Sequence, residues 1–221
     1  SWNVKVKRES TTEPGLRLPQ FGALAAIQAH WSVSSDAATV VMPTGTGKTE
    51  TMIMTIANER INKAVIVVPS NLLREQTVNK LCTFGVLKDI GVVDEKSISP
   101  TVVLLKSAPK TEEEFNELLN NSNVIVVTMS LVNRLSEEQC KKIVDFAELL
   151  IVDEAHLSQQ LLKTAQQVAR IENMADAPIA RQVSPLQVVE TTATPVSEDT
   201  DNAISVLESD FTTDVMLEKR L

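Results

Sequence analysis

Residues 38–49 read "ATVVMPTGTGKT", an apolar run that passes through a loop with two glycines into Lys-Thr. The next residues, "ETMIMTIANERI" (50–61), have apolar positions spaced as in a helix. Strand, tight loop and helix form the context in which a glycine loop binds phosphate. The glycines let the backbone approach a phosphate closely, and the loop amides lie at the positive end of the helix. The stretch therefore predicts a nucleotide site with an α/β fold around it.

Two side chains of the loop have predicted roles. Lys48 would reach the β- and γ-phosphates, and the Thr49 hydroxyl would complete a Mg²⁺ shell. The strict pattern has glycine five residues before Gly47, where this chain has Met42. G-x-G-K-[ST] arises by chance in about one chain in a hundred of this size, and the strand–loop–helix context lowers that figure. The predicted nucleotide-binding residues of the loop are Thr44, Gly45, Thr46, Gly47, Lys48, Thr49 and Glu50.

A pair of acids follows another apolar run, in "ELLIVDEAH" (148–156). Ligands of open α/β sheets bind at the carboxyl ends of strands, so Asp153 and Glu154 can face the phosphate loop. Asp153 would hold Mg²⁺, and Glu154 would orient and deprotonate the attacking water. Taken alone, such a pair is more often a solvated turn. With the loop upstream, it predicts that the phosphate is hydrolysed.

The remaining apolar runs predict the sheet. They lie at 64–68, 101–105, 123–127, 148–152 and 187–190. Runs that are apolar on both faces are typical of parallel strands covered on both sides. Helical stretches lie between most of them, with apparent capping boxes at 111–114 and 136–139 and a glutamine-rich helix over 157–175. The pattern predicts a mostly parallel central sheet with helices on both faces, without a strong strand signal in the last ~20 residues.

Composition limits the class of protein. The chain has 221 residues, 43% apolar and 23% charged, with a net charge of −8. This charge argues against a generally basic nucleic-acid coat, although a local basic groove remains compatible with it. Two cysteines, Cys82 and Cys140, give no disulfide framework or metal-ligand cluster and favour a reducing, cytoplasmic setting. No apolar run approaches the ~20 residues of a membrane span, so no membrane partner is expected.

The motifs, read together, resemble a known family. "LRLPQ" (16–20), "MPTGTGKTE" (42–50), "VVPSNLLREQ" (67–76), "VIVVTMSLV" (124–132), "IVDEAH" (151–156) and "TTATP" (191–195) have the order and spacing of DEAH-box-type superfamily 2 helicases and translocases. The resemblance covers residues 16–195. "LRLPQ" is similar to the adenine-side motif of the branch with restriction-enzyme and repair translocases. The resemblance implies a RecA-like P-loop domain that binds ATP and Mg²⁺.

At the nucleotide, the resemblance implies that Gln20 reads the adenine edge and that Arg17 supports this contact. It gives Lys48 and Thr49 the phosphate and magnesium roles, and Asp153 and Glu154 the magnesium and water roles. Arg17 and Gln20 also fit as ordinary residues at the start of a helix.

Away from the nucleotide, the resemblance implies that His156, Thr192 and Thr194 couple hydrolysis to strand movement. Pro69, Ser70 and Thr128 would touch the nucleic-acid backbone. Simpler interpretations stay open: the threonines as turn formers before a proline, His156 as a locally bonded residue, and Ser70 and Thr128 as helix caps or strand ends.

We expect three segments: an N-terminal extension (1–15), a helicase ATP-binding RecA-like domain (16–196) and an acidic tail (197–221) that leads toward a second motor domain. Family motors have two RecA-like domains, the second of which supplies arginines to the transferring phosphoryl group. The chain begins with Ser1, and 26 residues follow "TATP". We therefore expect the first motor domain of a longer protein, which binds ATP but hydrolyses it weakly and unwinds nothing alone.

Three functions remain in competition. The first is a motor that prefers DNA to RNA, with possible nuclease or defence-complex partners, because "LRLPQ" and "TATP" favour the DNA branch. The second is a DEAH-type RNA helicase. The third is a nucleotide-gated assembly switch without translocation. The acidic balance supports the switch, since few cations lie near the nucleic-acid motifs: Arg74, Lys80, Lys106 and Arg134.

Overall fold

The computed structural model describes residues 2–34, 37–153, 187–192, 203–205 and 218–219. The helices in these residues are α1 (Leu18–Trp31), α2 (Lys48–Asn58), α3 (Asn71–Thr83), α4 (Val86–Asp89), α5 (Glu112–Asn120), α6 (Met129–Val132) and α7 (Glu137–Phe146). The strands are β1 (Ala38–Val41), β2 (Ala64–Val68), β3 (Val102–Leu105), β4 (Val124–Thr128), β5 (Leu149–Asp153), β6 (Gln187–Thr192), β7 (Ala203–Ser205) and β8 (Glu218–Lys219).

The strands form one sheet in the order β3-β4-β2-β5-β6-β1-β7-β8. All neighbouring strands are parallel except β7 and β8. The register pairs Val41 with Thr192 and Asp153 with Thr191, so β1, β6 and β5 end at the same edge. The predicted mostly parallel α/β sheet is confirmed.

Helices cover both faces of the sheet, which explains the continuous apolar runs. Every residue of β2, β4 and β5 is buried. Alternate strand side chains enter two cores: Ile66 and Ile151 pack with α1, α2 and α3, whereas Val65 and Leu150 pack with α5, α6 and α7. A strand between two apolar layers has no polar face, so it lacks the alternation of a half-exposed strand.

Helix caps follow the sequence closely. The Ser136 Oγ accepts a hydrogen bond from the Gln139 N–H (3.2 Å), and Gln139 Oε1 accepts one from the Ser136 N–H (3.1 Å), which is the predicted capping box. The Thr111 hydroxyl also caps its helix by accepting from the Glu114 N–H (3.1 Å). The Glu114 carboxylate, however, accepts from the Lys110 N–H, so the second box is only half formed.

The end of the chain differs from expectation. No strong strand signal is present there in the sequence, yet β7 pairs with the outer edge of β1, and β8 pairs with β7. These strands have three and two residues, too few for a periodic pattern. Their pairing depends on the open edge of β1. The predicted helix over 157–175 lies outside the described residues.

Residues 2–16 form a strap along the body of the molecule. The Lys5 N–H donates to the Val92 carbonyl (2.9 Å), and the Asp94 N–H donates to the Asn3 carbonyl (3.0 Å). At the start of the strap, the Trp2 ring meets Phe84 edge-on at 5.1 Å. The expected divisions after residues 15 and 196 stay predictions. No helix in the described part of the chain combines the length and apolar character needed to cross a bilayer.

Candidate nucleotide-binding site

The loop between β1 and α2 has the backbone conformation that its glycines permit. Gly45 (φ +84°) and Gly47 (φ +96°) are both in the left-handed region, which disfavours other residues. The Thr46 hydroxyl and N–H both donate to the Pro43 carbonyl, at 2.7 and 3.3 Å, and close the turn. Met42 is fully buried in the core, so the position where the strict motif has glycine serves packing here.

Lys48 and Asp153 meet at the carboxyl edge of the sheet. The Lys48 Nζ lies 3.6 Å from the Asp153 Oδ1, and their side chains are 16% and 11% exposed. Lys48 opens α2, and Asp153 is the last residue of β5. With only β6 between β1 and β5, parallel pairing places the loop and the carboxylate side by side. The fold thus joins the two motifs that the sequence assigned to one ligand.

The start of α1 contacts the loop. The Arg17 Nη1 donates to the Gly45 carbonyl (3.1 Å), and the Arg17 N–H donates to Gln20 Oε1 (2.9 Å). Gln20 is 3% exposed. A Cβ on Gly47 would lie 2.1 Å from Gln20 Nε2 and 2.8 Å from Arg17 Nη2, so glycine makes room for these side chains. The pair therefore does more than begin a helix, because it fixes one wall of the loop.

A cleft of about 610 Å³ extends from the loop between α1 and the end of α3. Its lining includes several residues that the sequence did not single out for this site: Glu9, Gly15, Lys80, Val86 and Ile90. Lys80 pairs with Glu50, at 2.6 Å between Nζ and Oε1, and joins α3 to α2. No motif spacing could have found these residues, because the strap, the last turn of α3 and the turn after α3 bring them to the cleft.

The site fits a magnesium nucleotide in size and chemistry. Ligand clefts are typically about 300–1,000 Å³. Thr49 lines the cleft, and Asp153 stands beside Lys48, so a hydroxyl and a carboxylate are near the same loop. Mg²⁺ prefers such oxygen donors together with phosphate oxygens. The exposed Thr44 and the buried Thr46 complete the loop.

The predicted nucleic-acid residues lie elsewhere on the same edge. Pro69 and Ser70 follow β2, and Thr128 ends the neighbouring β4. Ser70 Oγ accepts from the Leu73 N–H and Thr128 Oγ1 from the Leu131 N–H, both at 3.3 Å. Both hydroxyls therefore cap helices, the simpler interpretation of these residues. Each hydroxyl proton can still be donated to another acceptor.

Of the residues predicted to couple hydrolysis to strand movement, only Thr192 lies in the described part of the chain. Thr192 ends β6, the strand between β5 and β1, so its backbone lies between the strands that carry Asp153 and the loop. Glu154, His156 and Thr194 fall outside the described residues.

The fold and the loop geometry define a RecA-like P-loop domain. The family model described as "Type III restriction enzyme, res subunit" matches residues 13–197, and the chain belongs to this family. No curated protein sequence matches the chain.

Solved structures share the fold at low identity. The chain resembles a hypothetical ATP-dependent RNA helicase from Sulfolobus tokodaii (18% identity, TM-score 0.47), covering 81% of this chain and 46% of that one. It also resembles the Pyrococcus furiosus Hef helicase domain (22%, TM-score 0.46; 83% and 34%) and the DUF1998 helicase MrfA (15%, TM-score 0.50; 82% and 27%). The chain thus spans less than half of each of these three.

Proposed function

We propose that the chain is the first motor domain of an ATP-dependent nucleic-acid helicase or translocase. The observation that carries this proposal is the meeting of Lys48 with Asp153 at 3.6 Å beside a left-handed glycine loop. A structural ion pair would not require the loop conformation, and a phosphate-binding turn would not require the acid. Both are needed to bind and hydrolyse a nucleoside triphosphate.

Each residue then has a defined task. The amides of the loop and the Lys48 ammonium hold the phosphates, while Gln20 reads the adenine edge with support from Arg17. Thr49 and Asp153 hold Mg²⁺, which when bound neutralises charge on the β- and γ-phosphates. Glu154, next to Asp153 in sequence, orients and deprotonates the water. His156, Thr192 and Thr194 transmit the change to Pro69, Ser70 and Thr128 at the nucleic acid.

The turnover of this domain should be slow. In P-loop enzymes an arginine from another element stabilises the transition state by orders of magnitude in rate. The chain spans 27% of MrfA. The resemblance to superfamily 2 motors implies a second RecA-like domain in the parent protein. We propose that this second domain supplies the arginines. The name of the family favours DNA over RNA as the substrate, in a restriction or defence setting.

The test is nucleotide binding followed by hydrolysis. We expect the chain to bind Mg²⁺·ATP, and Lys48→Ala to weaken binding about tenfold or more because a charge-assisted contact is lost. In Asp153→Asn, the affinity for ATP should no longer depend on the Mg²⁺ concentration. The exposed Lys141→Ala is the matched control. Equal ATP affinity in Lys48→Ala and Lys141→Ala would contradict the proposal.

The nucleotide-gated switch remains a second candidate because of one observation. Three of the four cations near the nucleic-acid motifs make contacts within the chain. Arg74 is 6% exposed and donates to the Leu105 carbonyl, Lys80 pairs with Glu50, and Arg134 donates to the Ser130 carbonyl. ATPase assays on the full-length protein with duplex DNA, single-stranded DNA and RNA separate the candidates. Stimulation by DNA supports the DNA motor, stimulation by RNA the RNA helicase, and stimulation by neither the switch.

A further inference from the structure

Part of the lining of the cleft is apolar and accessible. Val86 is 45% exposed, and Ile90 is half-buried, with part of its side chain against the core. Both line the cleft that also contains Gln20 and the phosphate loop. An exposed valine is unremarkable by itself, but two aliphatic side chains in one cleft with an amide and a phosphate loop form a mixed surface typical of ligand sites.

The local backbone presents these two residues together. The Ile90 N–H donates to the Val86 carbonyl (3.1 Å), so the residues are one helical turn apart and share a face. Gly85 (φ +51°) precedes this turn and Gly91 (φ +65°) follows it, both in conformations that favour glycine. Phe84, next to Gly85 in sequence, is fully buried, and its ring packs against Trp2. The turn is therefore anchored to the core through Phe84.

We propose that Val86 and Ile90 form the platform on which the base of the bound nucleotide packs. This inference rests on the proposed function, because the phosphate loop fixes one end of the ligand. A nucleotide held at 45–49 and read by Gln20 places its base in the part of the cleft that these side chains line. No aromatic residue lines the cleft in the described part of the chain, so aliphatic contacts supply the apolar surface for the base.

The platform has a recognisable specificity. Aliphatic side chains contact the face of a base and do not read its edge, so they contribute to affinity for any purine nucleotide. Discrimination between adenine and guanine falls to the polar wall, where Gln20 holds its carboxamide through the Arg17 N–H. Substitutions on the two walls should therefore have different effects: the platform changes affinity, and Gln20 changes selectivity.

The test compares Mg²⁺·ATP with Mg²⁺·tripolyphosphate, which lacks the base and the ribose, by isothermal titration calorimetry. We expect Val86→Ala/Ile90→Ala to weaken ATP binding about tenfold while tripolyphosphate affinity changes by less than about twofold. Val86→Ala alone, at a side chain outside the core, should have a smaller effect of the same kind. The matched controls are Val33→Ala and Ile98→Ala, at exposed apolar positions outside this cleft (80% and 76%).

A second measurement does not depend on any substitution. In methyl-labelled protein, nuclear Overhauser effects should join the adenine H2 or H8 protons to the methyl groups of Val86 and Ile90. Unchanged ATP affinity in both variants and absent Overhauser effects, with both ligands still bound, would overturn the platform. If the wild-type chain binds neither ATP nor tripolyphosphate, the proposed function fails and the platform fails with it.

Discussion

Gly47 shows how one missing side chain organises the candidate site. Its backbone is left-handed, and the space a Cβ would occupy is already filled by Gln20 Nε2 and Arg17 Nη2. Gly45 has a similar φ but nothing within 4 Å of its hypothetical Cβ. The two glycines therefore separate two effects: backbone strain, which they share, and crowding of the wall next to the loop, which only Gly47 would cause.

We expect Gly45→Ala and Gly47→Ala to lower the free energy of unfolding by similar amounts, about 1–2 kcal/mol, because the strain is alike. Crowding at Gly47 displaces the flexible ends of Gln20 and Arg17. Gly47→Ala should therefore have an ATP-over-GTP selectivity at least about tenfold lower than that of Gly45→Ala. Urea unfolding and nucleotide titrations measure both quantities. Equal selectivity in the two variants would show that Gln20 is not held by this contact.

Cys140 gives a prediction on pH. Burial raises the pKa of its thiol, and the charge of Glu137 raises it further. The unfolded chain therefore loses this proton at lower pH than the folded chain does. The contribution of the protonated Cys140 thiol to stability is complete below about pH 8.5, and it is lost as the pH rises through the pKa of this thiol in the folded chain. Urea unfolding at pH 7–10 should give a flatter pH profile for Cys140→Ala than for the exposed Cys82→Ala. Parallel profiles would contradict this.

At the scale of elements, the sequence predicted β1 to β6 within one residue at most ends, because buried parallel strands are short apolar runs with clear limits. It also placed the P-loop and Asp153 at one site, since parallel strands end at one edge. It could not predict β7 and β8, which depend on an open neighbouring edge. Nor could it predict Glu9, Lys80, Val86 and Ile90 in the cleft. Their positions follow from how the strap, the last turn of α3 and the turn after α3 pack together.

The capping box of α7 supplies a prediction for an element. Ser136→Ala removes the hydroxyl acceptor of the Gln139 N–H, so we expect a loss of about 1 kcal/mol in the free energy of unfolding. Gln139→Ala should cost less, because Ser136 is an exposed residue and its N–H can bond water instead. The exposed Glu138→Ala in the same turn is the control. Urea denaturation measures the stability of all three variants. Equal stability of S136A and E138A would show that the Ser136 cap does not stabilise the fold.

For the whole molecule, the sheet combines a central part between two cores with a narrow edge. β2, β4 and β5 are buried throughout, whereas β7 and β8 contribute five residues at one side. Local opening requires breaking few contacts at a short edge and most of both cores at the centre. The stability of the sheet should therefore be uneven.

Native-state hydrogen exchange should show this difference directly. Amides of Ile66, Ile125 and Ile151 should exchange only with global unfolding, and those of Ile204 should exchange by local opening with a much smaller free energy. Adding urea should accelerate the central amides steeply and Ile204 hardly at all. A steep response at Ile204 would place the edge in the same cooperative unit as the centre.

The contact between Lys48 and Asp153 also bears on the order of folding. These residues are about a hundred positions apart, and they meet only after β6 has paired with both β1 and β5. Contacts of such separation form late, because long loops must close first. During refolding, the glycine loop can form with its own strand and helix before a complete nucleotide site exists. The moment at which Lys48 and Asp153 meet is therefore a kinetic marker for closure of the middle of the sheet.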